Sequence, residues 1–410
     1  MVSSAPSIGI LRPRPFRVSI PQTELDAIKT LLRLGRLPPS TFENSHAGTS
    51  LGARRDWIHD STKYWIDKYD WRIHEAQMNS VPNYLVDVQD DDGEVHTIHF
   101  LASFAKDKNA IPLLLLHGCP STCYEFIPLI KRLSLSNSSP FHIIAPSLPN
   151  FAFSASPPHI NLTMAAVACL MDKLMSGLGY GSSYVVQGGD IGSFVARMMA
   201  VRYHGCKAVH LNFNPMTPPT SLPSNIPPLT EAEQKGLQRA NKFMSSGTTY
   251  ATIQSTNPST MGAVMSCSPG ASLAWTGEKL LEQNMPLDMI LTTLTLYWFT
   301  QTYARSIYAY RELFPGGAST PTLPTDDPSL YIHKPFEVIP VPACWVATTG
   351  KLSFVRYHKT GGHFAAQLSP AEFANDLIEF FGPMKNTLAT VPPSPTASNA
   401  SFDGDTHLTD

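Results

Sequence analysis

Charge is scarce in this chain. Only 15% of its 410 residues are Asp, Glu, Lys or Arg, and the formal net charge is -2. No Lys/Arg-rich run breaks that balance, which argues against a nucleic-acid partner held through its phosphates. Long apolar runs are equally absent. Nowhere do 18 uncharged apolar residues follow one another, so no membrane span is expected, and the opening MVSSAPSIGILRPRPFRVSIP has no apolar stretch long enough for a secretory signal. The six cysteines (Cys119, Cys123, Cys169, Cys206, Cys267 and Cys344) form no C-x-x-C pair and no zinc-ligand spacing. They read as free thiols in a reducing compartment, so the expectation is a cytoplasmic protein with no bound metal. No G-x-G-x-x-G follows a strand pattern, and no other cofactor signature stands out, so no cofactor is expected.

Apolar residues are plentiful, at 43% of the chain, enough for a large buried core. Residues 1–100 form a leading segment. In TELDAIKTLLRLGRLPP, Thr23 and Asp26 have capping-box spacing, Leu25, Ile28 and Leu32 share one helical face, and Gly35 and Pro38 end the helix. DWIHDSTKYWIDKYDW carries Ile58, Trp65 and Tyr69 on a second helical stripe, and NYLVDVQDDDGEVHTIHFLASF reads as two strands turning at Asp92-Gly93.

From residue 101 the pattern changes. Short, continuous apolar runs at 111–116, 141–147, 183–187, 208–213 and 343–349 alternate with helical segments. Runs without polar alternation suit strands buried on both faces, hence an α/β protein with a mostly parallel sheet flanked by helices. Between 215 and 330 this rhythm is interrupted by Pro-rich joints and helical patterns, among them a Thr230/Glu233 capping box. That segment reads as a helical lid inserted between a first core part, 101–214, and a second, 331–385. The polar, Pro/Ser/Thr-rich stretch 386–410 reads as a disordered tail.

Three motifs carry chemistry. In VVQGGDIGS, a strand pattern runs into Gly188-Gly189-Asp190-Ile191-Gly192 and then a helical pattern. This is the strand-turn-helix elbow of the α/β-hydrolase fold, with Asp190 in the nucleophile's place. Upstream, His117-Gly118-Cys119-Pro120 ends the run at 111–116, where the fold draws one oxyanion-hole amide. The backbone N–H groups of Cys119 and Ile191 are therefore the candidate oxyanion donors. Downstream, TGGHFAA sets His363 where the order nucleophile, acid, histidine requires the base. The acid must lie between lid and base. Glu337 is the leading candidate, with Asp326, Asp327 and Glu312 as the other acids within reach.

Across HGCP, APSLPNFAFS, QGGDIGS, TYATIQSTNPST, YIHKPF and GGHFAAQLSP, and the leading RPFRVSIPQTELDAIKTLLRLGRLP, the chain resembles the microsomal-type epoxide hydrolases, particularly their soluble fungal members. The resemblance implies an N-terminal segment wrapping core and lid, Asp190 as nucleophile, Glu337 and His363 as its partners, and two lid tyrosines, Tyr250 and Tyr310. Tyr303 and Tyr308 stand close enough to be confused with Tyr310. The family usually has tryptophan where this chain has Cys119, which leaves the pocket wall smaller there. The implied partners are a small hydrophobic epoxide and water. A homodimer is one option for an oligomeric state the sequence leaves unread. Two alternatives compete. A haloalkane dehalogenase shares the aspartate but favours an indole or amide donor beside it, where this chain has Ile191. A catalytically inactive ligand-binding member of the fold would have no need of nucleophile, base and acid together.

Overall fold

A computed structural model describes residues 9–48, 51–134, 139–220, 228–313, 328–333 and 337–388. Among them are nine strands: β1 (Arg14–Phe16), β2 (Asn83–Gln89), β3 (Val95–Ser103), β4 (Ile111–Leu116), β5 (Phe141–Pro146), β6 (Tyr184–Gly188), β7 (Cys206–Leu211), β8 (Pro328–His333) and β9 (Lys351–Tyr357). They form one sheet in the order β1-β2-β3-β5-β4-β6-β7-β8-β9. The pairings β1/β2, β2/β3 and β3/β5 are antiparallel, and β5 through β9 run parallel. This is an α/β-hydrolase sheet.

The central strands have no polar face because both faces are covered. Leu113 and Leu115 pack with Ile143 and Val185 against helices 127–134 and 370–381, while Leu114 and Leu116 pack with Ile144 and Val186 against helices 164–177 and 191–202. All four leucines are fully buried. Alternate residues of a strand point to opposite faces, so a continuous apolar run is what a two-sided core demands.

Two expectations fail at the far edge of the sheet. ACWVATT is not a strand. Residues 343–346 form a helical turn entered from Pro342 and continue into a 3-10 turn over 347–349, with Val346 buried beside Val341. The outermost strand is β9, KLSFVRY, which alternates polar and apolar residues because an edge strand is not covered on both faces. Its partner β8 begins at residue 328, inside the range read as lid. The Thr23/Asp26 box is also absent. The helix starts two residues earlier than that box would set it, at Gln22 after Pro21, which makes no side-chain cap, and Asp26 accepts a 3.0 Å bond from the Gln22 side chain. Leu25, Ile28 and Leu32 are nevertheless buried together. At the other end, residues 385–388 form a short helix where a tail was expected from 386, and 389–410 lie outside the described residues.

Helices between 231 and 313 cover the carboxyl ends of the parallel strands, and polar anchors fix them there. The Thr230/Glu233 capping box forms in both directions, at 3.3 and 2.9 Å. Arg305 donates to the Ser154 and Ala152 carbonyls at 3.0 and 2.9 Å. From the leading segment, Trp65 donates to Thr295 at 3.1 Å and Tyr69 to Thr292 at 3.0 Å. The helix at 287–299 is thus held by the leading segment, and its Tyr297 hydroxyl donates to the Ser121 carbonyl of the core at 2.8 Å. Among the described residues, no helix is long and apolar enough to cross a membrane.

Candidate active site

At the end of β6 the chain turns through Asp190 and enters helix 191–202. Asp190 has φ 48° and ψ -125°, a conformation that side-chain-bearing residues avoid at a cost of about 1–3 kcal/mol. The neighbours must be small for the turn to close. A Cβ on Gly192 would strike the Leu116 carbonyl, and one on Gly118 would strike the Asp190 carboxylate itself. Such strain, held by a packed scaffold, lifts one side chain clear of the sheet.

That carboxylate is held atom by atom. Oδ1 accepts from the Cys119 amide at 2.8 Å, and the Ile191 amide also donates to the carboxylate. Oδ2 faces His363 Nε2 at 3.3 Å. Burial pushes the Asp190 carboxyl up, but His363 and the two amides outweigh it and hold it below the ordinary aspartate value. The nucleophile position is therefore ionised at neutral pH.

His363 lies in the loop after β9. Its Nδ1 meets Glu337 Oε1 at 2.7 Å. Burial alone would depress the imidazole pKa, but Glu337 and Asp190 reverse that and raise it well above the ordinary histidine value. Glu337 is 1% exposed, and the same Oε1 accepts the Val338 amide at 2.7 Å. Its backbone carbonyl accepts from Arg239 at 2.9 Å, tying the acid to the lid. Glu337 follows β8, a strand that the apolar runs of the sequence do not reveal. Of the rival acids, Glu312 accepts the Met164 amide at 3.0 Å and serves helix 164–177, while Asp326 and Asp327 lie outside the described residues.

The loop carrying Cys119 is braced by His117, which is fully buried. His117 Nδ1 meets the Gly118 carbonyl at 2.9 Å, and Nε2 accepts the Leu148 amide at 3.0 Å. Only the neutral Nδ1-protonated ring can do both, and burial, which lowers its pKa to about 4, keeps it neutral. The Cys119 thiol is raised to about 12 by burial and by the Asp190 charge, so it is no thiolate nucleophile. It sits within hydrogen-bonding reach of Tyr310 and Tyr297.

Tyr250 and Tyr310 come together with ring centroids 6.0 Å apart, and the negative charge of Asp190 acts on both. Burial first, and that charge among the lesser causes, raises each phenol well above its ordinary value. Both therefore keep their protons. The similar tyrosines are otherwise engaged: Tyr303 donates to Gln254 at 2.6 Å, and Tyr308 to the Pro149 carbonyl at 3.0 Å.

One side chain at this site escaped the sequence reading. Glu125 sits on the 3-10 turn at 123–126 and lines a small cavity with Asp190 and His363. The only sequence signal is a single acid inside the otherwise apolar CYEFIPLI. Among the described residues, no three His, Cys, Asp or Glu side chains are grouped to hold a metal ion.

The family pattern described as "Epoxide hydrolase N terminus" matches residues 13–126, and that described as "alpha/beta hydrolase fold" matches residues 111–256. "Epoxide hydrolase 1" of Sus scrofa is 30% identical to the chain, covering 90% of the chain and 88% of the relative. The structure of Aspergillus niger epoxide hydrolase superposes with a TM-score of 0.86 at 41% identity, covering 93% of this chain and 98% of that one. Juvenile hormone epoxide hydrolase from the silkworm Bombyx mori superposes with a TM-score of 0.79 at 26% identity, covering 92% and 96%.

Proposed function

The chain belongs to the epoxide hydrolase family and converts an epoxide and water to a vicinal diol, and from that premise we propose that it does so through an ester on Asp190. The chemistry explains why a carboxylate stands where other hydrolases of this fold hold serine. Serine opening an epoxide would form an ether that the enzyme could not hydrolyse, whereas aspartate forms an ester that water can cleave. Asp190 Oδ2 attacks a ring carbon from behind, and the carbon–oxygen bond of the ring breaks as the new one forms. The departing oxygen is a nascent alkoxide. Tyr250 and Tyr310 hydrogen-bond it and one supplies the proton, assistance typically worth ~10²–10⁴ in rate.

In the second half, His363 removes a proton from water, whose oxygen attacks the ester carbonyl. The amides of Cys119 and Ile191 hold the resulting oxyanion, each worth about 3 kcal/mol. His363 returns the proton to the leaving alcohol oxygen and the diol departs, leaving Asp190 as the neutral acid; its proton passes through solvent to the tyrosinate left by ring opening, so that the carboxylate and the phenol are both restored. Glu337 keeps His363 in the right tautomer and balances its transient charge. Esterification also removes the Asp190 charge, one of the two carboxylates holding a proton on His363. The imidazole thereby gives up its proton more readily and is available in its neutral form once there is an ester to hydrolyse.

One observation carries this reading: the two oxygens of Asp190 are already divided, Oδ1 to the Cys119 amide and Oδ2 to His363. A single turnover in ¹⁸O water with enzyme in excess tests it. The label is expected in the Asp190 peptide while the first diol formed is unlabelled. Label passing directly from solvent into that diol would overturn it.

The tyrosine pair makes a separate prediction. Tyr250→Phe and Tyr310→Phe are each expected to slow ring opening about 10²-fold in single-turnover mixing experiments, with ester breakdown little changed. If both variants open the ring at the wild-type rate, neither phenol is the acid.

A further inference from the structure

Beside the nucleophile is a water-sized cavity whose lining includes Glu125, Gln187, Asp190, Asn212 and His363. Tyr250 and Tyr310 do not line it. It therefore adjoins Asp190 and His363 without reaching the phenols that act in ring opening. Its walls are mixed, with Phe126, Phe364 and Ala365 facing the polar groups. Gln187 Oε1 is buried and accepts no hydrogen bond among the described residues, while Gln187 Nε2 donates to Asn212 at 2.9 Å. An unpaired buried carbonyl oxygen calls for a donor, and water is the donor that fits this space.

Glu125 is set for that task and has no other. Ser121 donates to its Oε2 at 2.6 Å, and no described group bonds to Oε1. Its carboxylate makes no salt bridge among the described residues. The charged and titratable groups that act on it or feel its charge are His363, Asp190, Tyr297 and Cys123. Burial raises its pKa to about 7, with Ser121 and His363 opposing and the Asp190 charge adding to the rise.

We propose that Glu125 holds the hydrolytic water in this cavity, accepting one of its hydrogens at Oε1 while His363 Nε2 removes the other. The water oxygen then forms its bond to Cγ of Asp190, and the rest of the step proceeds as described for the second half-reaction. Glu125 undergoes no net change. The proposal rests on the ester reading and adds a residue to its second half only.

The test uses Glu125→Gln in the full chain, with styrene oxide as probe, rapid quenching and mass analysis of the Asp190 peptide. Glutamine keeps the shape and the Ser121 bond but not the charge. Ester formation is expected within about twofold of wild type, and ester breakdown slower by about 10- to 100-fold, the worth of a hydrogen bond to a charged group. The adduct therefore accumulates during turnover. If Glu125→Gln does not fold, Ser121→Ala, which releases the carboxylate from its anchor, is expected to slow breakdown by a smaller factor while sparing formation. Wild-type breakdown in the folded variant overturns the proposal and leaves the ester reading standing. Equal slowing of both steps also overturns it, marking Glu125 as structural. Diol formed with no ester in wild type or variant overturns both.

Discussion

Asp190→Ala is expected to make no diol and no protein adduct, with turnover lower by at least about 10⁴-fold, the scale on which nucleophile deletions in comparable catalytic sets fall. The size follows from what remains. Without the carboxylate, the tyrosines can still polarise the epoxide oxygen, but no atom stands behind the ring carbon to displace it. His363 does not compensate: Glu337 holds it by its other nitrogen at 2.7 Å so that Nε2 faces the place of the Asp190 carboxylate, where it serves attack on an ester and not on the ring carbon. Substrate binding is expected to survive, because the lid tyrosines and apolar walls are untouched. Tritiated or fluorescent epoxide retained by the variant, with no diol by chromatography, is the expected result. Residual turnover within about tenfold of wild type would mean that water attacks the ring directly and that Asp190 only orients it.

Much of this site is legible in the sequence, for a physical reason. The elbow needs a buried strand, small residues on either side of a strained one, and a helix, and VVQGGDIGSF writes all three in ten letters. The fully covered strands β4 to β7 are legible for a similar reason, since double-sided burial forces continuous apolar runs. At the sheet edge the same rule misleads. Lys351–Tyr357 keeps the alternation of a half-covered strand, and the apolar ACWV belongs to a helical turn that buries Val346.

Other parts of the site were not written locally at all. Nothing within a few residues of Tyr310 distinguishes it from Tyr303 and Tyr308. Tyr303 donates to Gln254 and Tyr308 to the Pro149 carbonyl, whereas Tyr310 meets the Tyr250 ring near Asp190. Tyr250 and Tyr310 are sixty positions apart and meet only because two lid segments pack together. Glu125 has the weakest local signal. Its neighbours Asp190 and His363 come from the elbow and from the loop after β9, so its role can be read only once the sheet has brought three distant segments together. The Thr23/Asp26 pattern errs the other way. A cap motif is present in letters, yet Pro21 starts the helix early and the motif goes unused.

His363→Gln should separate the two half-reactions. Ring opening needs Asp190 ionised and the tyrosines protonated; loss of the imidazole lets the Asp190 pKa rise, but the Cys119 and Ile191 amides remain to hold the carboxylate. Glutamine can still donate toward Asp190 Oδ2, so the nucleophile stays aligned. One equivalent of epoxide is therefore expected to alkylate the protein, at a rate within about tenfold of wild type. Water is then left without a general base, and breakdown is expected to fall by about 10²–10⁴. Steady-state turnover should collapse by that factor while a stoichiometric burst remains. Mass analysis should place the added mass on the peptide carrying Asp190. The pH dependence adds a second check. In the wild-type ester, His363 acts as a base only when neutral, so breakdown is fastest at high pH and is lost as pH falls through the imidazole pKa, which Glu337 alone now holds up. In His363→Gln that dependence should vanish, leaving only the slow rise with hydroxide. An unmodified Asp190 peptide with turnover intact would remove His363 from the mechanism, and a variant that fails to alkylate at all would mean that the imidazole is needed before the ester exists.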